Sequence, residues 1–374
     1  GIDMTEKSLP PSAKTHSTLD LAVSQELNRA VQSIVYNKFL IDRAVADHGA
    51  SMLARDLHDG AYGPHVPMSF VSCVLPFYRA CERTDDGSPA YQFASVPTAN
   101  TLGCSWRWRR KSLDEKEAEK CREHLSDFVA MVSGKVDDAT YAWVKPLGLF
   151  VPGEGKNRVD FFREEGVESI PARVYERTYP EPTRITIYRI RVSAFSATWA
   201  VLDGRWVENI PNPSWTLPLM KAYGVKGPVP WPSDFPEPKQ VQLAFFMPKG
   251  ITSPLGNPEF GDEAVVDLET VVATQNFKDE SVRTAVFDLR DVKIDHRVWQ
   301  ISLGITLASL VLLSLVPDEF SEIRIFIGVA LGAAMTGGVM PYIVPFVTTK
   351  RRRLAQNQYL PRTRAPKNSN SAKW

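Results

Sequence analysis

An early polar cluster has the side chains for metal binding or proton transfer. It gathers three of the six histidines and three carboxylates within nineteen positions. Imidazole nitrogens and carboxylate oxygens are ligands for divalent metals, and both groups act as general acids and bases. The candidates are Asp47, His48, Asp56, His58, Asp59 and His65. The spacing matches no established site, so the alternative of solvated turns and helix caps stays open, and we predict no cofactor.

A second segment, WRWRRK at positions 106–111, alternates tryptophan with basic residues. Single-strand nucleic-acid binders interleave aromatic and basic side chains in this way. The same alternation is typical of an edge strand that points its tryptophans inward and its bases outward. Residues 1–297 carry a net charge of −5, which argues against general nucleic-acid binding by this part of the chain.

The segment GEGKN at positions 153–157 contains a Gly-Lys pair like that of a phosphate-binding loop. In GxxxxGK[ST], however, Phe150 would replace the first glycine and Asn157 the hydroxyl residue that binds magnesium. We therefore predict a turn here. No dinucleotide, nucleophile-elbow, HExxH or EF-hand motif occurs in the sequence, which favours a role other than catalysis.

Two long apolar runs near the end of the chain are the most informative feature of the sequence. Val298–Val316 and Ile325–Val347 contain no charged residue, and the first would be about 28 Å long as a helix. Each run can cross a bilayer, and the eight-residue link PDEFSEIR between them predicts an antiparallel transmembrane hairpin. The alternative is a helical hairpin buried in a soluble core.

The charges that flank the two runs predict their orientation. Lys293, His296 and Arg297 precede the first run and four bases follow the second, whereas the link is mainly acidic. The positive-inside rule then places both chain ends on the cytoplasmic side of an integral membrane protein. Trp299 and Tyr342 fall near the cytoplasmic ends of the spans, where aromatic rings favour the headgroup layer.

Small and hydroxyl residues inside the runs suggest contact surfaces. Gly328, Gly332, Thr336 and Gly337 form a face that allows close helix packing and favours a homo-oligomer or larger assembly. A stripe of Ser302, Thr306 and Ser309 could bond across helices, line a narrow aqueous path, or bond its own helix backbone. The runs contain no ionisable residue, which argues against an ion-coupled transporter, and two spans enclose a pore only in several copies.

The basic tail that follows the second run predicts contact with lipid. Lys350, Arg351, Arg352 and Arg353 are placed to bind anionic headgroups, at about 1 kcal/mol per base near the surface. Nucleic acid is a partner expected only at this tail. The other partners we expect are the bilayer itself and an unknown protein or small ligand.

Several elements are predicted in the part of the chain before the spans. Apolar periodicity predicts a helix from Ser17 to about Asp47 and a second helix after Ser112, which forms a capping box with Glu115. Asp203 and Gly204 predict a hairpin turn. We expect strands at Pro67–Tyr78, Arg184–Val192, Gln240–Met247, Ala264–Ala273 and Arg283–Val292, and an extended proline-rich loop at Pro211–Pro238.

The sequence therefore predicts a cytosolic α+β protein, with mixed helices and a mainly antiparallel sheet, followed by the transmembrane hairpin. The segments are a disordered N-terminus at 1–16, a helix-rich part at 17–136, a β-rich part at 137–295, the hairpin at 296–349 and a basic disordered tail at 350–374. One hypothesis is a membrane-anchored interaction or assembly protein. The alternative is a pore-forming effector that perturbs membranes and carries a cytosolic sensing domain.

Overall fold

The computed structural model describes residues 18–48, 65–79, 91–104, 112–136, 138–246, 265–292, 295–345 and 347–355. These residues form a mixed α+β fold in two compact units. The first unit holds the described residues up to 246 together with 265–268, and the second holds those from 269 to 355. The α+β class that the sequence predicts is confirmed.

The first unit contains helices and strands in alternation. Its helices are α1 (Gln25–His48), α2 (Pro67–Val74), α3 (Glu115–Ser126), α4 (Phe128–Val132), α5 (Lys156–Glu164), α6 (Pro213–Tyr223) and α7 (Pro238–Phe246). Its strands are β1 (Tyr91–Pro97), β2 (Thr140–Val144), β3 (Leu149–Glu154), β4 (Ser169–Arg177), β5 (Ile185–Val192), β6 (Phe195–Leu202), β7 (Trp206–Asn209), β8 (Lys226–Pro230) and β9 (Val265–Asp267).

The strands of the first unit form two sheets. One has the order β1-β4-β2-β3 and the other the order β8-β5-β6-β7-β9. Only the β2–β4 and β5–β8 pairs are parallel within these described sheets. Antiparallel ladders therefore dominate, as the sequence predicts.

One apolar core joins the two sheets and three helices. It contains Leu27 and Val31 of α1, Phe70 of α2, Ala200 of β6 and Val144 of β2, all at most 5% exposed. A second core lies on the other face of the four-stranded sheet, where Tyr141 and Trp143 meet the two phenylalanines of α5. Since burial of apolar surface dominates folding stability, these cores hold the framework for the loops described below.

The predicted hairpin at Asp203-Gly204 is confirmed. It joins β6 to β7, and Leu202 pairs with Trp206 across the turn. Both turn residues have positive φ, 54° for Asp203 and 66° for Gly204. The loop has three residues, 203–205, and the Arg205 N–H donates to the Leu202 carbonyl at 3.0 Å across the two residues of positive φ, a conformation that Asp-Gly adopts at low cost.

Two segments predicted as strands are helices. Pro67–Tyr78 forms α2 and then a turn, and the described residues of Gln240–Met247, 240–246, form most of α7. Helix α2 buries Phe70, Val71 and Val74, which lie on one helical face, and Pro67 occupies its first turn, where no backbone donor is needed. A short apolar run fits a buried strand and a buried helix equally well, so periodicity alone misassigned both.

The predicted extended loop at Pro211–Pro238 is also wrong. It contains α6, which has Pro213 in its first turn and ends at Gly224 with φ of 100°, followed by strand β8. Its two tryptophans pack on the fold. Trp215 lies edge-on to Phe70 at 5.7 Å, and Trp231 lies edge-on to Trp199 at 5.3 Å between ring centroids.

Other predicted elements begin or end at different residues in the structure. Helix α1 begins at Gln25, not Ser17, and the capping box of α3 joins Asp114 to Glu117 in place of Ser112 and Glu115. The Ala264–Ala273 strand shortens to β9 and continues as α8 (Leu268–Asp279), and the Arg283–Val292 strand shortens to β10 (Ser281–Thr284). At the start of α3 the Asp114 side chain accepts from the Glu117 N–H, and near the start of α1 the Ser24 hydroxyl accepts from the Leu27 N–H, so these side chains satisfy backbone donors of the first turns.

The second unit contains two long apolar helices, α9 (His296–Leu315) and α10 (Ser321–Ile343). They are the two described helices that are long and apolar enough to cross a membrane, and they pack against each other as a hairpin. Large apolar side chains point outward, with Phe326 78% exposed and Leu303 57% exposed. Burial in a soluble core of this chain therefore does not explain their composition.

A two-stranded ribbon closes the open end of the hairpin. Strand β10 precedes α9, and β11 (Val347–Lys350) follows α10, and the two pair antiparallel from Ser281 with Lys350 to Thr284 with Val347. The chain therefore enters and leaves the hairpin at the same end. Of the strand predicted at Arg283–Val292, before the first span, the structure has only the part that belongs to β10 in this ribbon.

Candidate functional site

The predicted metal cluster falls only partly within the described residues. Asp47 and His48 end helix α1, and His65 lies just before α2. Asp56, His58 and Asp59 lie outside the described residues, as does the basic and aromatic segment at 106–111. Among the residues that the structure describes, no three histidine, cysteine or acidic side chains come together as a metal site. The metal hypothesis stays a prediction.

A buried ionic network lies beside this cluster. The Lys38 ammonium on α1 donates to Asp42 Oδ2 at 2.5 Å, to the carbonyl of His65 at 2.9 Å and to the carbonyl of Gly103 at 2.7 Å. Lys38 is 1% exposed and Asp42 is fully buried. Three acceptors satisfy all three ammonium protons, so the network links α1 to two loops without exposing a charge to solvent.

Burial raises the pKa of Asp42 to about 7, although the neighbouring Lys38 ammonium acts in the opposite direction. Asp160 on α5 adds to the increase, and Arg163 on α5 opposes it. A side chain at Gly103 would collide with the Asp160 carboxylate, so glycine is the residue that fits there. We interpret this network as structural, because its charged groups are closed to any substrate.

A cleft of about 420 Å³ opens elsewhere in the first unit. Cys73 of α2 and the nearby Arg79 line one side, and Phe245 and Phe246 of α7 line another. The sheet supplies Trp199 from β6 and Glu208 from β7. This volume suits a small organic ligand.

Aromatic rings from strand β6 and helix α7 form one wall of the cleft. Trp199 is 1% exposed and lies 5.6 Å from Phe245 and 6.5 Å from Phe195, measured between ring centroids. Trp231 supports it from behind at 5.3 Å. Aromatic pairs of this kind stabilise a fold by about 0.5–1.5 kcal/mol each beyond the area that they bury, so they help to hold this wall together.

A strained turn borders the opposite wall. Phe77 is fully buried and has a φ of 63°, a conformation that bulky residues rarely adopt. Its backbone N–H donates to Glu208 Oε2 at 2.7 Å, which ties the turn to the sheet. Backbone strain that the surrounding structure maintains is concentrated at functional sites, so this turn marks the cleft as the candidate site.

Sequence reasoning missed the cleft entirely. Its lining residues come from the segments 72–79, 195–199, 208–211 and 242–246, which no local motif connects. Two of these segments were assigned the wrong secondary structure. The Phe77 conformation has no sequence signal either, because it is imposed by tertiary contacts.

The hydroxyl stripe of the apolar hairpin faces the partner helix. The Ser302 hydroxyl donates across the interface to the Ala334 carbonyl at 2.6 Å. The Thr306 hydroxyl donates to the Ser302 carbonyl on its own helix at 2.8 Å, and Ser309 is 5% exposed. The stripe therefore makes one hydrogen bond across the two helices and one to its own helix backbone, which are two of the three alternatives considered for it.

The glycine face points away from the first helix. A Cβ added at Gly328, Gly332 or Gly337 would meet no atom within 4 Å, and Thr336 is exposed. Gly338 is the glycine that packs inside the hairpin, where an added Cβ would collide with the Ser302 hydroxyl. The predicted face is thus available to another chain, and its role in assembly stays a prediction.

Aromatic side chains gather at the ribbon end of the hairpin. Trp299 donates its indole N–H to the Tyr342 hydroxyl, and the two ring centroids lie 5.4 Å apart. Phe287, which is 68% exposed, packs on Tyr342 at 5.8 Å. Such a group is typical of a membrane–water interface.

Three of the four basic residues predicted to bind lipid headgroups have acidic partners in the structure. Arg351 pairs with Glu280 at 2.7 Å, and Arg352 and Lys350 lie 3.3 Å and 3.9 Å from Asp279. Arg353 follows in the same 3₁₀ turn. The two acidic residues adjoin the ribbon, so they reduce the positive charge that a lipid surface would meet.

Comparison of the chain with protein-family models, with curated proteins and with solved structures found no match.

Proposed function

We propose that this chain is a membrane-anchored binding protein, with the α9–α10 hairpin as the anchor and the first unit as the binding domain. The exposed apolar surface of the hairpin carries this proposal. Side chains such as Leu307 and Val329, 55% and 66% exposed, would be costly to leave in water and are stabilised in lipid.

The cleft supports a binding role for the first unit. It combines a rigid aromatic wall with polar groups, which is the composition of small-molecule sites. The ligand is a small molecule or a side chain of a partner protein. The flanking bases favour a cytoplasmic location for both chain ends, and the open glycine face favours assembly with further copies.

Membrane extraction tests the anchor. The double variant Leu307→Arg and Val329→Arg places two charges on the outward surfaces of the two helices, and each arginine costs about 2.5–3.5 kcal/mol at a span centre. We expect the variant to leave the membrane fraction in alkaline carbonate, whereas the unaltered chain stays in it.

The control is Val129→Arg, a partly exposed apolar residue of α4 in the first unit, which should not alter fractionation. Retention of the double variant in the membrane fraction would contradict the anchor.

The alternative is a pore-forming effector built from several hairpins. The open glycine face favours it, but the three hydroxyl residues lie inside the hairpin, where they are not placed to line a lumen between copies. Measuring the membrane potential of cells that express the full chain distinguishes the anchor from the pore-forming effector. An anchor leaves the potential unchanged, whereas depolarisation that Leu307→Arg with Val329→Arg abolishes would favour the pore.

A further inference from the structure

The segment between the ribbon and the first long helix presents an exposed aromatic ring. Phe287 lies in the 3₁₀ turn Val286–Asp288, between β10 and α9, and its side chain is 68% exposed. Single exposed apolar residues are common on protein surfaces, whereas a larger exposed apolar surface marks a contact with a protein or a membrane. The role of Phe287 therefore depends on the surface to which its ring belongs.

Backbone hydrogen bonds fix the position of this turn. Strand β10, which precedes it, pairs with β11. After the turn, the Ala355 N–H donates to the Asp288 carbonyl at 2.9 Å, and the Arg290 N–H donates to the Arg353 carbonyl at 2.7 Å. Because the chain is held on both sides of the turn, the fold itself sets where the Phe287 ring lies relative to the hairpin.

The Phe287 ring continues the outward surface of the hairpin. It lies 5.8 Å from the Tyr342 ring on α10, which lies 5.4 Å from the Trp299 ring on α9, measured between ring centroids. Trp299 and Ile301 of α9 are 48% and 63% exposed, so the apolar surface of the helices extends through these rings to the turn. In a hairpin that crosses a bilayer, the contact with Tyr342 places Phe287 near the headgroups, where aromatic rings are favoured.

The charges beside the ring do not favour an anionic surface. Asp288, Arg290 and Asp291 follow Phe287 and sum to a charge of −1. The Thr284 hydroxyl of β10 donates to the Asp288 carboxylate at 3.2 Å, which directs this carboxylate towards the ribbon. The turn thus offers the bilayer an apolar ring and not a positive charge, and its contact with lipid needs no anionic headgroup.

We propose that this turn is a third membrane contact, in which Phe287 enters the boundary between the headgroups and the acyl chains. Together with Trp299 and Tyr342 it fixes how deep the ribbon end of the hairpin lies in the bilayer. This inference rests on the proposed function of the hairpin as an anchor, and it adds a contact outside the two spans.

Fluorine relaxation measures the depth of the ring in the full chain, held in nanodiscs of phosphatidylcholine. 4-Trifluoromethylphenylalanine replaces Phe287 and keeps its ring. A lipid with a doxyl group at carbon 5 relaxes ¹⁹F near the headgroup–acyl boundary, and an aqueous gadolinium chelate relaxes ¹⁹F in water. We expect strong relaxation by the lipid and at least about threefold less relaxation by the chelate than for the free amino acid, because a ring at this boundary is shielded from water.

The same label at Phe326, which is 78% exposed on α10, reports separately on insertion of the hairpin. Relaxation of the Phe326 label by the lipid and of the Phe287 label by the chelate would retain the anchor and overturn the third contact. Relaxation of both labels by the chelate would contradict the anchor as well. Protection of the Phe287 label from both agents would show that protein covers the ring, which also overturns the contact.

Lipid charge separates insertion from headgroup binding. Replacing a third of the phosphatidylcholine by phosphatidylserine should leave the relaxation of the Phe287 label unchanged, because the ring contacts the apolar boundary. Lipid contact that appears only with phosphatidylserine would show that basic residues bring the turn to the surface, and it would overturn insertion of the ring.

A label at Ile301 tests whether Phe287 sets the depth of the hairpin. Phe287→Ser should increase relaxation of this label by the chelate at least about twofold, because a polar residue no longer favours the boundary. Phe287→Tyr keeps an aromatic ring and should leave the relaxation unchanged. Val272→Ser, at a partly exposed apolar residue of α8 in the same unit, is the control and should also change nothing. An unaltered Ile301 label in Phe287→Ser would overturn this role.

Discussion

At the scale of single residues, burial decides which charged groups can do chemistry. Lys38 and Asp42 are both closed to solvent and joined by a short hydrogen bond, whereas Glu208 is half-buried at the wall of a cleft. Lys38 and Asp42 stabilise the junction between α1 and the two loops that contain His65 and Gly103. The Glu208 carboxylate lines the cleft and accepts a hydrogen bond from the Phe77 N–H.

Asp42 should make the stability of the first unit depend on pH. Its pKa is raised to about 7 in the folded chain, against about 3.9 when unfolded, so the folded state retains a proton that the unfolded state has lost. The contribution of Asp42 to the free energy of unfolding is therefore fully present below about pH 4 and declines as the pH rises from there to about 7.

We expect thermal unfolding of the first unit to occur at lower temperature at pH 8 than at pH 5. Asp42→Asn, which cannot ionise, should remove this part of the dependence. The control Asp203→Asn alters a more exposed ion pair with Arg184 and should leave the dependence in place. Parallel pH curves for the unaltered chain and Asp42→Asn would show that Asp42 is ionised throughout.

At the scale of elements, α9 and α10 have two distinct faces each. The inner face of α10 places Gly338 against Ser302, which brings the two helices close together. The outer face leaves Gly328 and Gly332 in open space. Small residues on an outer surface permit a second close contact, because little side-chain entropy is lost when backbones approach.

Gly332→Leu tests this outer face. If copies pack through it, the leucine should reduce oligomer size in mild detergent, as measured by light scattering after gel filtration. The control Ala330→Leu adds a similar volume at another exposed position of α10 and should leave the size unchanged. An unchanged size for Gly332→Leu would exclude this face as the contact.

At the scale of the whole molecule, the apolar hairpin and the cleft lie in different compact units. The second unit brings both of its chain ends together through the β10–β11 ribbon, and acidic residues neutralise part of its basic segment. The net charge of this segment is therefore adjustable by changing the acids without changing the bases.

Neutralising the two acids should increase lipid selectivity. Asp279→Asn with Glu280→Gln frees Lys350, Arg351 and Arg352 to interact with headgroups, at about 1 kcal/mol for each base near the surface. We expect the variant to retain more anionic lipid than the unaltered chain when purified from mixed nanodiscs, as measured by lipid mass spectrometry.

Glu319→Gln with Glu322→Gln, which alters the link at the far end of the hairpin, is the matched control and should have no such effect. Equal retention of anionic lipid by the Asp279 and Glu280 variant would show that headgroups do not reach these bases.

Sequence patterns correctly predicted the elements whose conformation depends on residues within a single segment of the chain. The Asp-Gly turn, the strand Arg184–Val192 and the two apolar helices each follow from a pattern within one segment, and each is present. Helices α2 and α7 were predicted as strands, because a short apolar segment has no polar face to reveal its period. Of the candidate site, none of the cleft could be predicted, since its walls are brought together only by folding.

By itself, the sequence determined the α+β class, the mainly antiparallel pairing and the apolar hairpin, because these depend on composition and periodicity within one stretch of chain. Only the tertiary structure decided that the hydroxyl stripe faces inward, that the glycine face is open and that Asp279 and Glu280 neutralise the basic segment. It also brought Glu208 and the aromatic wall to one cleft. Contacts between distant segments depend on how cores pack, and no local pattern encodes them.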